Sequence, residues 1–463
     1  MREAAVHVRP YPKYKPSGVE WLGEVPEHWE VKRLKYSASI NDQALPEDTD
    51  PNFEMSYVDI SSVDAVQGIV AVEDMVFEDA PSRARRVVCD GDTIISTVRT
   101  YLRAISPVRN PSPNTIVSTG FAVVRPRRVA PPFMSYALRE PGFVEAIVAR
   151  SVGVSYPAVN ASEIGTLPIP LPDEDGQRAI ADFLDRETEK IDTLVAKKRT
   201  LIERLKEKRS ALITRTVTRG LPPDAARAAG LDPHPKLKLS GIDWLGEVPE
   251  HWEVKRLKFV LPRLESGVSV NAEKVPADDD SAGVLKTSCV YGNRFRPEEN
   301  KRVIDADLDR VACPVTCDSV IVSRMNTPGL VGSCGYVSND YPNLFLPDRL
   351  WIARFSRAHR SSGKYAWYLL TSHALIDLTG ALATGTSGSM KNLSQDEFLG
   401  IDVAVPLIDE QRAIADFLDG ETARIDGMIA KVDTAIERLQ EYRTALITAA
   451  VTGKIDVRGT TAA

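Results

Sequence analysis

The side chains best suited to hydrogen-bond chemistry lie on loops that follow two predicted strands. In each half of the chain, an aspartate turn leads into a β-rich run that ends in polar residues. The segments and their polar side chains are 89–105, with Arg99, Tyr101 and Arg103, and 317–332, with Arg324 and Asn326. Arginine hydrogen-bonds guanine edges and asparagine hydrogen-bonds adenine edges, so this composition favours contacts with nucleic-acid bases or phosphates.

A Gly/Ser loop closes the variable part of each half, at 152–162 and 384–394. Ser155 aligns with Ser387 and Asn160 with Asn392, while most other positions differ. A shared loop frame with different side chains suits a surface that reads bases. The residue pattern leaves open the alternative that these are simply exposed loops before a strand. The stretch GTSGSMK misses the GxxxxGK[ST] spacing of a phosphate-binding loop.

Motifs that carry catalysis are missing from the sequence. It contains no GxGxxG after a predicted strand, no HExxH, no GxSxG and no Asn-Pro-Pro-aromatic tetrapeptide of the kind that amino-methyltransferases use. Cys313 and Cys317 lie close together, but no Cys or His cluster with zinc spacing follows them. Five cysteines, an odd number, fit reduced thiols. We therefore expect neither a catalytic nor a metal site.

These loops belong to a tandem duplication. Residues 17–35 and 240–258 differ at only two of nineteen positions, and the QRAIADFLD segment that begins at Gln177 recurs at Gln411. The long stretches between those blocks show little identity. A repeat of this length indicates two whole domains on a shared frame, because solenoid repeats are only about 20 to 50 residues long.

A long helix is predicted after each QRAIADFLD segment, because apolar residues recur there in steps of three and four. The stretch 186–219 lacks Pro and Gly, which predicts a helix of at least about 34 residues, roughly 50 Å. The second copy keeps the same phase up to Gly453. Antiparallel packing would bury both stripes and make the helices a spacer between the variable domains. Two ordinary amphipathic helices in a compact core are the alternative.

Composition is that of an ordinary globular protein of several domains, with 463 residues, 43% hydrophobic and 26% charged. No apolar run reaches membrane-span length and the first residues lack a signal-peptide core, so we expect a cytoplasmic protein. The net charge of −6 argues weakly against nucleic-acid binding. The stretch 83–128, however, holds nine arginines against two acids, which predicts a local basic face or a solvated arginine-rich loop set.

Three kinds of segment occur twice along the chain: the SGxxWLGEVPEHWEVKRLK blocks, the QRAIADFLD segments, and the endings TRGL and TGKID. In this doubled order they resemble the specificity subunit of type I restriction-modification systems. The resemblance covers nearly the whole chain. It implies two mixed α/β target-recognition domains, each reading one half of a split asymmetric DNA site. It also implies an antiparallel coiled coil of two conserved helices, related by a pseudo-twofold repeat, that sets the gap. The chain departs from the usual pattern where PDEDGQR replaces the shorter IDEQR.

The resemblance also assigns contacts to individual residues. The expected DNA contacts are Arg99, Tyr101, Arg103, Ser155, Tyr156 and Asn160 in the first insert, and Lys286, Arg324, Asn326, Ser387, Lys391 and Asn392 in the second. Large apolar anchors for packing or a partner are Trp21, Trp29, Trp244 and Trp252.

The implied complex contains two methyltransferase subunits and restriction/translocase subunits, which would carry S-adenosylmethionine, ATP and magnesium. This chain itself is expected to be non-catalytic and to hold no cofactor. The predicted parts are recognition domain 1 (13–175), a helical spacer (176–220), a linker (221–239), recognition domain 2 (240–409), a second spacer (410–453) and a tail (454–463).

Two other classes of function remain to be distinguished. A two-headed scaffold that binds proteins would lack salt-dependent DNA affinity in its assembled complex. An intrinsic nuclease, the third possibility, would cleave DNA in a metal-dependent reaction by itself.

Overall fold

The computed structural model describes residues 9–153, 156–356, 361–387 and 390–459. The chain divides into two compact units: unit 1 combines Met1–Lys198 with Asp433–Ala463, and unit 2 comprises Arg199–Val432. Both boundaries fall inside long helices, so each unit contains part of both helices. No helix within the described ranges is long and apolar enough to cross a lipid bilayer.

Unit 1 is built on two four-stranded sheets. Its strands are β1 (Tyr14–Pro16), β2 (Glu24–Pro26), β3 (Glu30–Arg33), β4 (Ala38–Ile40), β5 (Glu54–Val58), β6 (Val63–Asp64), β7 (Gly68–Ile69), β8 (Glu73–Val76), β9 (Ala84–Val87), β10 (Thr93–Ser96), β11 (Ile105–Pro107), β12 (Thr115–Ser118), β13 (Phe121–Pro126) and β14 (Pro168–Leu171). One sheet has the antiparallel order β11-β10-β13-β4. The other has the order β8-β5-β12-β9, in which β5 and β12 run parallel. Every residue of β10 is buried, as befits a central strand.

Short helices follow the sheets of unit 1: α1 (Pro131–Leu138), α2 (Pro141–Val148) and α3 (Ala161–Ile164). Strand β14 then pairs with β3 of the repeated block, with Leu171 opposite Glu30. The long helix α4 (Glu174–Arg219) begins directly after this pairing, and the Asp173 carboxylate accepts the Gly176 N–H at 3.0 Å in its first turn. The repeated block and the start of the long helix are therefore held together by backbone pairing.

Unit 2 repeats this topology. Its elements are α5 (Pro223–Ala228), β15 (Leu237–Leu239), β16 (Glu247–Pro249), β17 (Glu253–Arg256), β18 (Leu264–Ser266), β19 (Gly283–Leu285), β20 (Asn300–Arg302), β21 (Pro314–Val315), β22 (Ser319–Ser323), β23 (Met325–Asn326), β24 (Cys334–Val337), β25 (Tyr341–Phe345), β26 (Leu350–Arg354), α6 (Gly363–Leu370), α7 (His373–Leu382), β27 (Thr384–Ser387), β28 (Met390–Asn392), α8 (Gln395–Leu399), β29 (Asp402–Val405) and α9 (Ile408–Val451).

The sheet orders of unit 2 are β24-β22-β26-β18 and β20-β19-β25-β21, with β19 and β25 parallel and β29 paired with β17. Strand for strand, these orders match those of unit 1. The duplication therefore extends through the two inserts, although their sequences show little identity. A third sheet, β23-β28-β27, is specific to the second insert among the described residues.

The predicted long helices are confirmed, with 46 residues in α4 and 44 in α9. In unit 2, Ile213 and Val217 of α4 share a buried cluster with Ile414 and Leu418 of α9. The Arg209 guanidinium lies 3.1 Å from the carboxylate of Asp426 further along α9. Since higher numbers on α4 meet lower numbers on α9, the helices run antiparallel there.

The corresponding ion pair recurs in unit 1, where Arg443 of α9 lies 2.9 Å from Asp192 of α4. Asp192 and Asp426 occupy equivalent positions of the two copies, as do Arg443 and Arg209. The predicted fold class, mixed α/β with two long helices that pack together, is thus confirmed. The predicted domain boundaries stay a prediction.

In each unit, a hydrogen bond between a tyrosine and an aspartate joins the first short helix to a long helix. The Tyr136 hydroxyl donates to Asp185 at 2.8 Å in unit 1, and the Tyr368 hydroxyl donates to Asp419 at 2.7 Å in unit 2. Burial raises the pKa of both phenols, so each remains a hydrogen-bond donor at neutral pH. The frame therefore fixes how each insert docks on its helix.

Candidate nucleic-acid interface

In unit 1, the polar loop after β10 folds into a tight turn. Thr100–Leu102 form one 3-10 turn, flanked by Arg99 and Arg103 in left-handed conformation with φ of 52° and 54°. Non-glycine residues rarely adopt positive φ, and such strain is common at functional surfaces. The buried Thr100 holds the turn in place, because its hydroxyl lies within hydrogen-bond distance, 2.6 Å, of the Ser151 hydroxyl.

The predicted Gly/Ser loop of the first insert meets this turn. The Arg99 backbone N–H donates to the carbonyl of Pro157 at 2.7 Å. The Arg99 guanidinium lies 4.7 Å from the centroid of the Tyr156 ring, a cation–π contact. The structure thus brings the two sequence-predicted loops together. Ser155 lies outside the described residues.

The remaining predicted residues of the first insert have different surroundings. Tyr101 is 53% exposed at the tip of the turn. Arg103 forms an ion pair with Glu145, and both side chains are exposed. Asn160 is exposed and begins α3, where its backbone N–H donates to the Glu163 carboxylate at 3.0 Å. The position of Asn160 therefore has a local role in starting a helix, and its predicted DNA contact stays a prediction.

The second insert joins its two loops through a small sheet. β23 pairs with β28, so that Asn326 lies opposite Lys391 and Met325 opposite Asn392. β27, which ends at Ser387, pairs with the other edge of β28. Four predicted residues of this insert, from segments over sixty residues apart, thus share one sheet.

Arg324 sits at the edge of this sheet. Its carbonyl accepts the Leu393 N–H at 2.8 Å, and its guanidinium lies 5.7 Å from the Trp351 ring centroid. Within the described chain, the buried Nε of Arg324 and the buried Oδ1 of Asn392 have no hydrogen-bond partner. An unpartnered buried polar group costs about 1 to 3 kcal/mol, so these atoms are suited to pairing with a ligand.

Asn326 is held by neighbours from another part of the insert. It is 6% exposed, and its Nδ2 donates to the Tyr291 hydroxyl at 3.1 Å and to Ser323 Oγ at 3.3 Å. Tyr291 belongs to the 3-10 segment that follows Lys286, whose ammonium lies 3.5 Å from Glu299. The burial of Asn326 favours a positioning role in this network, and its direct DNA contact stays a prediction.

Two of the four predicted partner-binding tryptophans are in the interior. Trp29 and Trp252 are 0% exposed, and the Trp252 indole N–H donates to Glu410 at 3.1 Å. Side chains so enclosed hold their units together and offer no surface to a partner, which corrects that part of the prediction. Trp21 and Trp244 are half-buried, and their role as partner contacts stays a prediction.

Trp21 and Trp244 have different neighbours. The Trp21 ring lies against Gly142, where an added Cβ would come within 2.5 Å of it. Trp244 lines a cleft of about 1500 Å³ in unit 2, together with Arg215, His234 and Leu378. No group of three or more His, Cys, Asp or Glu side chains suited to a metal occurs among the described residues.

No protein-family model matches the chain. The Type I restriction enzyme EcoEI specificity subunit of Escherichia coli is 28% identical over 162 residues, which are 35% of this chain and 27% of that protein. The putative type I restriction enzyme MjaX specificity subunit of Methanocaldococcus jannaschii is 23% identical over 467 residues, covering 94% of this chain and 96% of that protein. The chain is thus similar to type I restriction enzyme specificity subunits, in the second case over nearly its whole length. A solved chain from work on complex assembly and conformational transition of the type I R-M system shares its fold, with a TM-score of 0.69, 21% identity and coverage of 92% of this chain and 98% of that one.

Sequence reasoning missed two residues that position the loops of the second insert. Tyr291 supports Asn326 from a segment 35 residues earlier, and Trp351 stacks beneath Arg324 from the neighbouring strand. No local pattern marks either residue. The Tyr136 and Tyr368 anchors, in contrast, have a sequence signal, because they stand at similar offsets, 41 and 43 residues, before the repeated Gln177 and Gln411.

Proposed function

We propose that this chain selects the DNA sequence on which a type I restriction-modification complex acts, with each recognition domain reading one half of a bipartite, asymmetric site. One observation carries the proposal. At the same topological position in both inserts, the loop after the central strand meets the Gly/Ser loop, and the two meeting points present different side chains. Recognition of two different half-sites requires such an arrangement, in which the backbone frame is the same and the side chains at the contact surface differ.

The chemistry of the meeting points supports DNA as the ligand. The first presents Arg99 stacked on Tyr156 beside the exposed Tyr101. The second presents Arg324 and Asn392, each with a buried polar atom that lacks a partner in the described chain. Guanidinium and carboxamide groups make the bidentate contacts that distinguish base edges. Phosphate contacts by the surrounding arginines would add affinity that falls with salt.

The proposal includes partners and a division of labour. The chain itself is non-catalytic, and two methyltransferase subunits supply S-adenosylmethionine chemistry. Restriction/translocase subunits supply ATP- and magnesium-dependent cleavage. The paired helices α4 and α9 act as the spacer that sets the gap between half-sites. Trp21 and Trp244, both half-buried, are candidate contacts for the partner subunits.

The deciding experiment compares long-read methylation maps of the native host with the gene intact and deleted. The expected result is loss of one bipartite methyladenine motif on deletion. A matched strain that carries Arg324→Ala should lose selectivity at one half of that motif only. An unchanged methylome, despite assembly of the methyltransferase complex, would refute the proposal in favour of a protein-binding scaffold. Salt-dependent binding of the assembled complex to duplex DNA provides an independent check.

A further inference from the structure

The turn of the first insert presents apolar side chains to solvent. Tyr101 is 53% exposed and Leu102 is 49% exposed, and they are adjacent at its tip. Val152 and Tyr156 of the facing loop are also exposed. Exposed apolar groups gathered on one loop pair are unusual for a solvated surface and indicate a contact site.

The base of the turn is held firmly. The Ser96 N–H donates to the carbonyl of Ala104 at 2.9 Å, which closes the loop at its neck. Within it, the N–H groups of Leu102 and Arg103 donate to the carbonyls of Arg99 and Thr100 at 2.9 and 3.0 Å. Because the backbone is fixed by these bonds, little conformational entropy is lost when the tip enters a ligand.

Two cations flank the apolar tip. Arg99 and Arg103 occupy the left-handed positions on either side of Thr100–Leu102. Arg99 stacks on Tyr156, and Arg103 pairs with Glu145 on an exposed face, where the ion pair is weak enough to exchange for a phosphate. An apolar wedge between arginines is the arrangement that proteins use to enter the minor groove and unstack a base step.

The second insert differs at the corresponding tip. After β22 and β23, the exposed residues of the turn are Thr327, Pro328 and Gly329, which offer no long apolar side chain, and the facing strand β28 presents Met390 at 38% exposure. The two recognition domains therefore share a topology but differ in the side chains that their turns present to a ligand. The second domain thus serves as an internal control for the first.

We propose that Leu102, supported by Tyr101, inserts between stacked bases in the half-site read by the first domain and distorts the duplex there, whereas the second domain reads its half-site without such insertion. This inference rests on the proposed function. It makes Leu102 and Tyr101 residues that contribute to specificity by selecting an easily unstacked base step, in addition to any base-edge contacts.

The test uses the assembled complex and duplexes that carry its methylation motif, with 2-aminopurine placed at one position at a time. The fluorescence of this base rises on unstacking. For the wild-type complex, we expect a rise at one step in one half-site only. Leu102→Ala and the double variant Tyr101→Ala/Leu102→Ala should abolish the rise and weaken binding roughly tenfold. Leu239→Ala, which truncates an 81% exposed leucine of unit 2, serves as the matched control and should change neither.

The outcomes separate the two proposals. A rise that persists in the double variant, or tight wild-type binding with no rise in either half-site, overturns the wedge and leaves sequence-specific binding intact. A wild-type complex that does not discriminate the motif from other duplexes overturns the proposed function itself. Since both side chains are about half exposed, the variants should fold. Correct folding of the variants is checked directly by their selectivity at the half-site read by the second domain, which should be retained.

Discussion

Replacing Arg324 by alanine should relax recognition at one half-site of the DNA and leave the other unchanged. The guanidinium lies over Trp351 at 5.7 Å, and its buried Nε has no partner among the described residues. If it pairs with a base edge, its loss should cost about 1 to 3 kcal/mol, or roughly 5- to 150-fold in discrimination at one base pair. Binding to the correct site should weaken by the same factor.

The free energy of unfolding should change much less than DNA recognition. Truncation removes the cation–π contact with Trp351, worth about 0.5 to 1 kcal/mol, but it also removes an unsatisfied buried donor. These effects partly cancel, so we expect a net change within about 1 kcal/mol. Thermal denaturation of the assembled complex would check this expectation.

Methylation rates provide the assay, measured on duplexes in which each base pair of both half-sites is changed in turn. Arg324→Ala should flatten the rates at one or two positions of a single half-site, and Arg99→Ala should do so in the other half. Arg324→Lys keeps the charge but loses the planar fork, so it should retain affinity for phosphate and lose base discrimination. Equal relaxation of both half-sites by Arg324→Ala would refute the division of labour.

Three further predictions concern the frame. Tyr368→Phe removes the partly buried hydrogen bond to the α9 carboxylate and should lower the free energy of unfolding by about 1 to 2 kcal/mol, measured by thermal denaturation; an unchanged melting temperature would contradict this docking role. Gly142→Ala places a Cβ 2.5 Å from the Trp21 ring and should cost about 1 to 3 kcal/mol, whereas Gly380→Ala, in open space on a helix, should be neutral or stabilising. Burial raises the pKa of the Glu140 carboxyl above its usual 4.5. The contribution of the protonated carboxyl to the free energy of unfolding is therefore present below pH 4.5 and is lost as the pH rises through the pKa of the folded state. Glu140→Gln should have a higher melting temperature than wild type at about pH 7 and the same melting temperature near pH 4, and a difference in melting temperature that does not vary with pH would contradict the assignment.

The long helices were predictable from the sequence because their signal is local. Apolar residues recur every three or four positions, and the breaker at Gly220 lies next to the end of α4. The sheets of the inserts were not predictable in the same way. Their central contact pairs β5 with β12 in parallel, about sixty residues apart, and no short pattern encodes that partnership.

Burial was the other quantity that the sequence did not reveal. Trp29 and Trp252 stand in blocks rich in charged residues, which suggested exposed anchors. In the structure, each indole packs against a glycine with positive φ, Gly453 in unit 1 and Gly220 in unit 2. A glycine at such a position permits a close approach that a larger residue would block, so the pairing depends on residues about 420 and 30 positions away.

The repeated docking contacts explain how one frame can support two different recognition surfaces. In each unit, a tyrosine of the first short helix and a glutamine at the start of the long helix fix the insert: Gln177 accepts the Ala130 N–H at 2.8 Å, and Gln411 accepts the Ser362 N–H at 3.0 Å. These contacts lie at the base of the insert and involve none of the loop side chains. Substitutions in the loops can therefore change what is read without changing how the domain is held. The argument predicts that recognition and docking mutations are energetically independent, as expected for sites without shared partners.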